Sequence, residues 1–216
     1  MPQEKMKRVL EFLKKRYGKK IEERMDRNPD LFELLVTTVL SQRTRDENTS
    51  LASERLFSVV SSPEGILRLD DKELEELIKP SGTFRQKAKR IKEMSRILIR
   101  DYRDSFPRKR SELLTLPGVG FKTADVVLSY GFGEPVIAVD VHVEVCSKRL
   151  GFVRKEAEYE EIRASLEKFV SEEERFLINL GFVNFGRETC RTRNPKCEEC
   201  KLNDICDFYL SNKKSV

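Results

Sequence analysis

The stretch Leu116-Pro117-Gly118-Val119-Gly120-Phe121-Lys122-Thr123-Ala124 decides how this chain is read. It predicts a sharp turn between two helices, with Ser111 to Leu116 as the first and Phe121 to Tyr130 as the second. Glycines in the turn permit positive φ and let a phosphate approach the backbone. The N–H groups that open the second helix lack helical partners, so they can cradle that phosphate. Gly118, Val119 and Gly120 are therefore candidate phosphate contacts through their backbone. Lys122 falls in the first turn of the second helix. The helix dipole and partial desolvation both disfavour an ammonium there, which predicts an available free amine and hence a nucleophile.

Further on, Cys190, Cys197, Cys200 and Cys206 stand at the spacing C-x6-C-x2-C-x5-C. Four thiolates this close can wrap one compact centre, a 4Fe–4S cluster or a structural zinc. Zinc ribbons join two C-x2-C pairs, and one such pair is present, so the spacing favours the cluster and leaves zinc open. Arg187, Arg191, Arg193 and Lys196 frame the first two cysteines. A loop held rigid by metal would present these bases to phosphates at low entropic cost. Cys146 stands apart and reads as an ordinary buried thiol. Metal thiolates, rather than disulfides, fit a reducing cytosol.

Composition narrows the class. The 216 residues are 37% charged and 38% hydrophobic, which is a globular balance with room for one large core or two modest lobes. The net charge of +5 is unevenly spread. Between Lys79 and Arg110 there are 12 Lys/Arg against 3 Asp/Glu, so this block nets +9 and the remainder −4. A basic block on a balanced chain predicts a polyanion surface. The N-terminus, Met-Pro-Gln-Glu-Lys, has no apolar signal region, and no apolar run approaches a membrane span.

Helical periodicity dominates, so the expected class is all-α. Met6, Val9, Leu10, Leu13 and Tyr17 form an apolar stripe expected to stop at Gly18. Asn28-Pro29 predicts an N-cap ahead of an apolar helix from Leu31 to Leu40. Ser62-Pro63 and Asp70-Asp71 predict two further helix starts. Lys87 to Tyr102 carries Ile91, Met94, Ile97 and Leu98 on one side and bases on the other. Glu156 to Val170 and Glu172 to Phe185 complete the set. Val136 to Val145 alternates and by periodicity reads as a strand, yet an isolated strand would find no partner.

Together the hairpin and cysteine segments resemble endonuclease III, the iron–sulfur, helix-hairpin-helix DNA glycosylase/lyase family. The shared pattern is LPGVG-x-KTA, then Val139-Asp140-Val141-His142 for the family's VD-x-H, then the four cysteines; Ser41-Gln42 followed by Thr44 also fits. The resemblance runs from about Leu31 to Cys206. It implies two lobes: a six-helix barrel with the hairpin at residues 24–134, and a cluster lobe of residues 1–23 with 135–216. DNA would lie in the cleft between them. It also implies a 4Fe–4S cluster on the four cysteines, and a short extended approach before a helix starting near Asp140.

For activity, the resemblance implies a bifunctional glycosylase and AP lyase acting on oxidised pyrimidines in double-stranded DNA. The catalytic residues would be Lys122 and Asp140. Lys122 would attack the sugar C1′, and the Schiff base would then permit β-elimination. Asp140 lies 18 residues on, after a helix of roughly 16 Å and a turn, and an extended return of similar length brings it back to the same end. There it could stabilise charge developing on the sugar, and helix capping is compatible with that role. Gln42 would fill the gap left by the extruded nucleotide, with a second wedge from the loop bearing Thr83 and Phe84. Thr83 stands where relatives often carry a larger apolar residue, and Val141 where Thr is common. His142, the only histidine, reads as a structural hydrogen-bonding residue. A cytoplasmic, nucleoid-associated monomer without a signal peptide is expected. The alternatives are a mismatch thymine or adenine glycosylase, or a non-enzymatic hairpin module with zinc. Lys122 argues against the first and Lys122 with Asp140 against the second.

Overall fold

The computed structural model describes residues 2–25, 28–103 and 105–213, the Met25 side chain excepted. It divides into two compact units, Asn28–Gly133 and a second made of Met1–Arg27 with Glu134–Val216. Among the described residues the regular structure is entirely helical, with no strand.

The central unit carries α2 (Leu31–Leu40), α3 (Asp46–Phe57), α4 (Pro63–Arg68), α5 (Asp71–Ile78), α6 (Phe84–Asp101), α7 (Arg110–Leu113) and α8 (Phe121–Val126). Its start signals are local. Ser62 caps α4 with Pro63 at the first position, and Asp70 caps α5 in a reciprocal capping box with Glu73. The expected cap of α2 shifts: Asp30, not Asn28, accepts from the Glu33 N–H. Helix α3 had no counterpart in the sequence reading; its N-cap is Arg45, whose side chain makes no cap bond. Leu35, Val36, Val39, Leu56, Ile66, Leu74, Ile78, Ile91 and Met94 are fully buried and form the core.

The other unit carries α1 (Pro2–Met25), α9 (Val141–Leu150), α10 (Tyr159–Phe169), α11 (Arg175–Glu188) and α12 (Asp207–Lys213). Helix α1 does not stop at Gly18. It continues to Met25, burying Tyr17 and Ile21 on the stripe of Met6, Val9 and Leu13. An interior glycine costs about 1 kcal/mol, which burial of Ile21 beyond it, at about 1.5–3 kcal/mol, outweighs. Helix α1 packs on α11. A Cβ on Gly181 would meet Leu13 at 2.9 Å, so the missing side chain sets the close approach.

Val136 to Val145 is extended up to Val139 and helical from Val141. The alternation misleads because Val143, Cys146 and Leu150 are buried at helical spacing while Val141 faces outward, 52% exposed.

Candidate active site and metal centre

In the central unit, α7 and α8 flank the turn at Leu116 to Gly120. The observed helices are shorter than the two expected ones: α8 ends at Val126, and a π-type turn over Val127–Gly131 follows it. Gly118 takes φ +84°, and a Cβ there would meet Arg90 Cδ at 2.9 Å. A side chain would be strained at this φ, and Arg90 would have to swing aside to admit it. Arg110 braces the hairpin. Its guanidinium donates to both carboxylate oxygens of Asp125, at 2.7 and 3.1 Å, and lies 4.8 Å from the Phe121 ring centre. Asp125 is fully buried, so this bidentate pair replaces the water it gave up.

Lys122 projects from the first turn of α8 and is exposed, as is Phe121 at 46%. The hairpin therefore leaves Lys122 on the protein surface.

Gln42 is brought directly to the hairpin. Its Nε2 donates to the Gly118 carbonyl at 2.7 Å and to Thr123 Oγ1 at 3.3 Å. Thr83, at the exposed tip before α6, takes φ +41°, and Phe84 beside it is half-buried under Arg85. Among the described residues, the non-glycine positions with positive φ are Arg43, Thr83 and Asn194. Each directly neighbours, or is itself, one of the residues expected at DNA. Backbone strain of this kind collects at functional loops.

In the other unit, Asp140 is the N-cap of α9. Its Oδ1 accepts from the His142 and Val143 N–H groups at 2.9 and 2.8 Å. The His142 ring lies against α11, where Gly186 has no Cβ to obstruct it. The hydrogen-bonding role expected of His142 is not fulfilled at Nδ1, which is buried with no partner.

Cys190, Cys197, Cys200 and Cys206 line one open pocket together with Arg149, Phe185, Phe208 and Tyr209. Among the described residues no three His, Cys, Asp or Glu side chains converge closely enough to hold a metal ion. Arg149, from the last turn of α9, closes the loop: it donates to the carbonyls of Cys190, Arg191 and Thr192 and to Cys190 Sγ. Leu202 N–H donates to Cys200 Sγ. Cys146 is fully buried, as expected. Cys146 and Arg149 beside it draw the Cys190 thiol down to about 6, while burial pushes Cys200 up to about 11. Arg187, Arg191, Arg193 and Lys196 are all exposed around this loop, Lys196 within 3.6 Å of Glu199.

Two residues here escaped the sequence reading. Arg149 belongs to no spacing motif. Lys87 is fully buried, and its signal was present: it lies one turn before Ile91 on the apolar face of α6.

An all-helical chain with a glycine hairpin, a lysine in the following helix turn and four loop cysteines defines a class of DNA-processing proteins. The model of the HhH-GPD superfamily of base excision DNA repair proteins matches residues 36–172, a span that holds the hairpin and Asp140. The chain belongs to that superfamily and, within it, to the endonuclease III family. Endonuclease III of Thermotoga maritima is 47% identical over 200 residues, covering 91% of this chain and 93% of the relative. A trapped endonuclease III–DNA covalent intermediate, in an estranged-adenine complex, superposes with TM-score 0.88 at 34% identity over 98% of both chains. A thermostable thymine-DNA glycosylase superposes at 0.79, with 28% identity and 88% of each chain covered. No described helix is long and apolar enough to cross a membrane.

Proposed function

We propose that this chain is a bifunctional DNA glycosylase and AP lyase that removes oxidised pyrimidines from double-stranded DNA, working as a cytoplasmic monomer. The observation that carries the reading is Lys122: an exposed amine in the first turn after the hairpin, in a chain that superposes throughout on a covalently trapped protein–DNA intermediate.

The chemistry follows from the residues. Backbone N–H groups at the start of α8 hold a phosphate, and the turn at Gly118 allows it close. Lys122 Nζ forms a bond to C1′ as the glycosidic bond breaks, and the base leaves with a proton. Opening of the sugar ring at O4′ gives a Schiff base between Lys122 and C1′. Loss of a 2′ proton then expels the 3′ phosphate and cuts the strand, and water releases the lysine. Asp140 stabilises positive charge developing at the sugar as the base departs. Gln42 and the Thr83–Phe84 tip occupy the space vacated by the extruded nucleotide.

The four cysteines suit a 4Fe–4S cluster better than zinc. Zinc ribbons join two C-x2-C pairs, whereas this segment holds one, Cys197 and Cys200, in a run of six, two and five intervening residues. When bound, the cluster would supply a rigid anchor for the loop. Arg187, Arg191, Arg193 and Lys196 would then meet the phosphate backbone.

The second reading, a mismatch thymine glycosylase, draws on the 0.79 superposition; Lys122 favours the bifunctional branch. Borohydride trapping on lesion-bearing duplexes tests the reading. The wild-type chain should give a covalent adduct and Lys122→Gln none, with lesion binding retained. An adduct with Lys122→Gln would overturn it.

A further inference from the structure

Lys87 is fully buried on α6, yet it faces no carboxylate among its hydrogen-bonding partners. Its three N–H groups meet three neutral oxygens: the Leu40 carbonyl at 2.7 Å, Thr44 Oγ1 at 2.8 Å and the Ser81 carbonyl at 2.7 Å. An ammonium has three donors and no acceptor, so this nest satisfies it completely. The three oxygens come from two loops. Leu40 and Thr44 bracket the segment that carries Gln42. Ser81 opens the tip that carries Thr83. Thr44 Oγ1 also lies within hydrogen-bond distance of the Ser81 carbonyl, so the loops share a second link. Both loops hold non-glycine residues at positive φ, Arg43 and Thr83, which need fixed surroundings to persist. Burial without a counter-charge pushes the Lys87 amine down to about 8, with nearby Arg90 adding to the effect. An apolar side chain at this position of the stripe would avoid that cost but could not bridge the loops.

We infer that Lys87 is a positioning residue for base extrusion, its ammonium locking the Gln42 loop to the Thr83 loop so that both probes enter the duplex as one rigid piece. The inference rests on the gap-filling roles proposed above. It assigns Lys87 no contact with the reacting atoms.

The test compares Lys87→Met and Thr44→Val with wild type and Gln42→Ala. Each is given one duplex with an oxidised pyrimidine and the same duplex with a preformed abasic site. A 2-aminopurine beside the lesion reports unstacking, and circular dichroism reports folding. Lys87→Met should slow excision of the lesion roughly tenfold or more, as expected for loss of hydrogen bonds to a charged group. It should weaken the 2-aminopurine signal and change abasic-site cleavage far less. In a Gln42→Ala background its effect on excision should largely vanish, because the two residues act as one unit. Equal losses on both substrates, or full additivity with Gln42→Ala, would overturn the inference. Should Lys87→Met not fold, Thr44→Val decides by the same two criteria. If Gln42→Ala itself shows no difference between substrates, the gap-filling reading fails and the inference with it. A difference for Gln42→Ala with none for Lys87→Met or Thr44→Val sinks the role of Lys87 alone.

Discussion

The side-chain amide of Gln42 is hydrogen-bonded to the carbonyl of Gly118 at 2.7 Å, which ties the loop after α2 to the turn of the hairpin. The residue proposed to fill the DNA gap is thus held by the element proposed to grip the phosphate. Gripping and probing are mechanically joined within one unit.

Gln42→Ala should therefore slow excision of a damaged base more than cleavage of a preformed abasic site, which has no base to extrude. Its cost in stability should stay near 1 kcal/mol, the worth of an ordinary hydrogen bond. Single-turnover rates on the two substrates check the first claim and urea melts the second. Equal rate losses would count against gap filling.

Asp140 has two roles that substitutions can separate. Asn is as good an N-cap as Asp, so Asp140→Asn should keep α9 intact and lose only the charge. Excision should fall roughly a hundredfold or more while the melting curve stays close to wild type. Asp140→Ala should add about 1 kcal/mol of destabilisation through the lost cap. Some borohydride trapping on abasic DNA should survive in both. An Asp140→Asn protein with full excision activity would remove the residue from the mechanism.

The Arg110–Asp125 pair predicts an asymmetry. Asp125 is fully buried and Arg110 partly exposed. Arg110→Ala would take the bidentate guanidinium away from a carboxylate inside the protein, at up to about 3–5 kcal/mol. Asp125→Asn leaves a neutral amide and a guanidinium that can reach water, so it should cost clearly less. Urea midpoints order the two, and equal losses would contradict the assignment.

The cysteine cavity predicts a brown protein with about four irons per chain. Cys200→Ser should lower stability and DNA affinity together, because folding of the loop and metal binding are one event. Stoichiometric zinc without iron or sulfide would refute the cluster.

Lys87 predicts a pH dependence with a definite sign. Its folded value is lowered to about 8 from an ordinary 10.5, so the unfolded chain binds more protons between those values. Stability contributed at this site therefore rises with pH across that window. The difference in unfolding free energy, wild type minus Lys87→Met, should increase between pH 8 and 10.5 by at most about 3 kcal/mol. Tyr17, raised to about 12 by burial and Glu188, acts oppositely above pH 10 but in both proteins. A flat difference would contradict the assignment.

The parts legible in the sequence were those with local causes. Proline and glycine mark the hairpin, Ser62 and Asp70 cap their own helices, and the cysteine spacing is covalent order along the chain. What stayed hidden depends on tertiary company. Helix α3 opens without a side-chain cap, so nothing near Asp46 announces it. Gly18 reads as a stop because only the fold shows Ile21 buried beyond it. Lys87 was grouped with the bases of its segment, although its place one turn before Ile91 sets it on the apolar face.

The unit holding the cysteines is assembled from both ends of the chain, with the residues 28–133 unit inserted between them. During synthesis the ribosome delivers α1 long before its partner: Gly181 emerges about 170 positions after Leu13. At roughly 5–20 residues per second, Met6, Val9 and Leu13 wait on the order of ten seconds or more for α11. The inserted unit can finish folding in that interval. Nascent α1 carries its apolar stripe without its α11 partner throughout that interval.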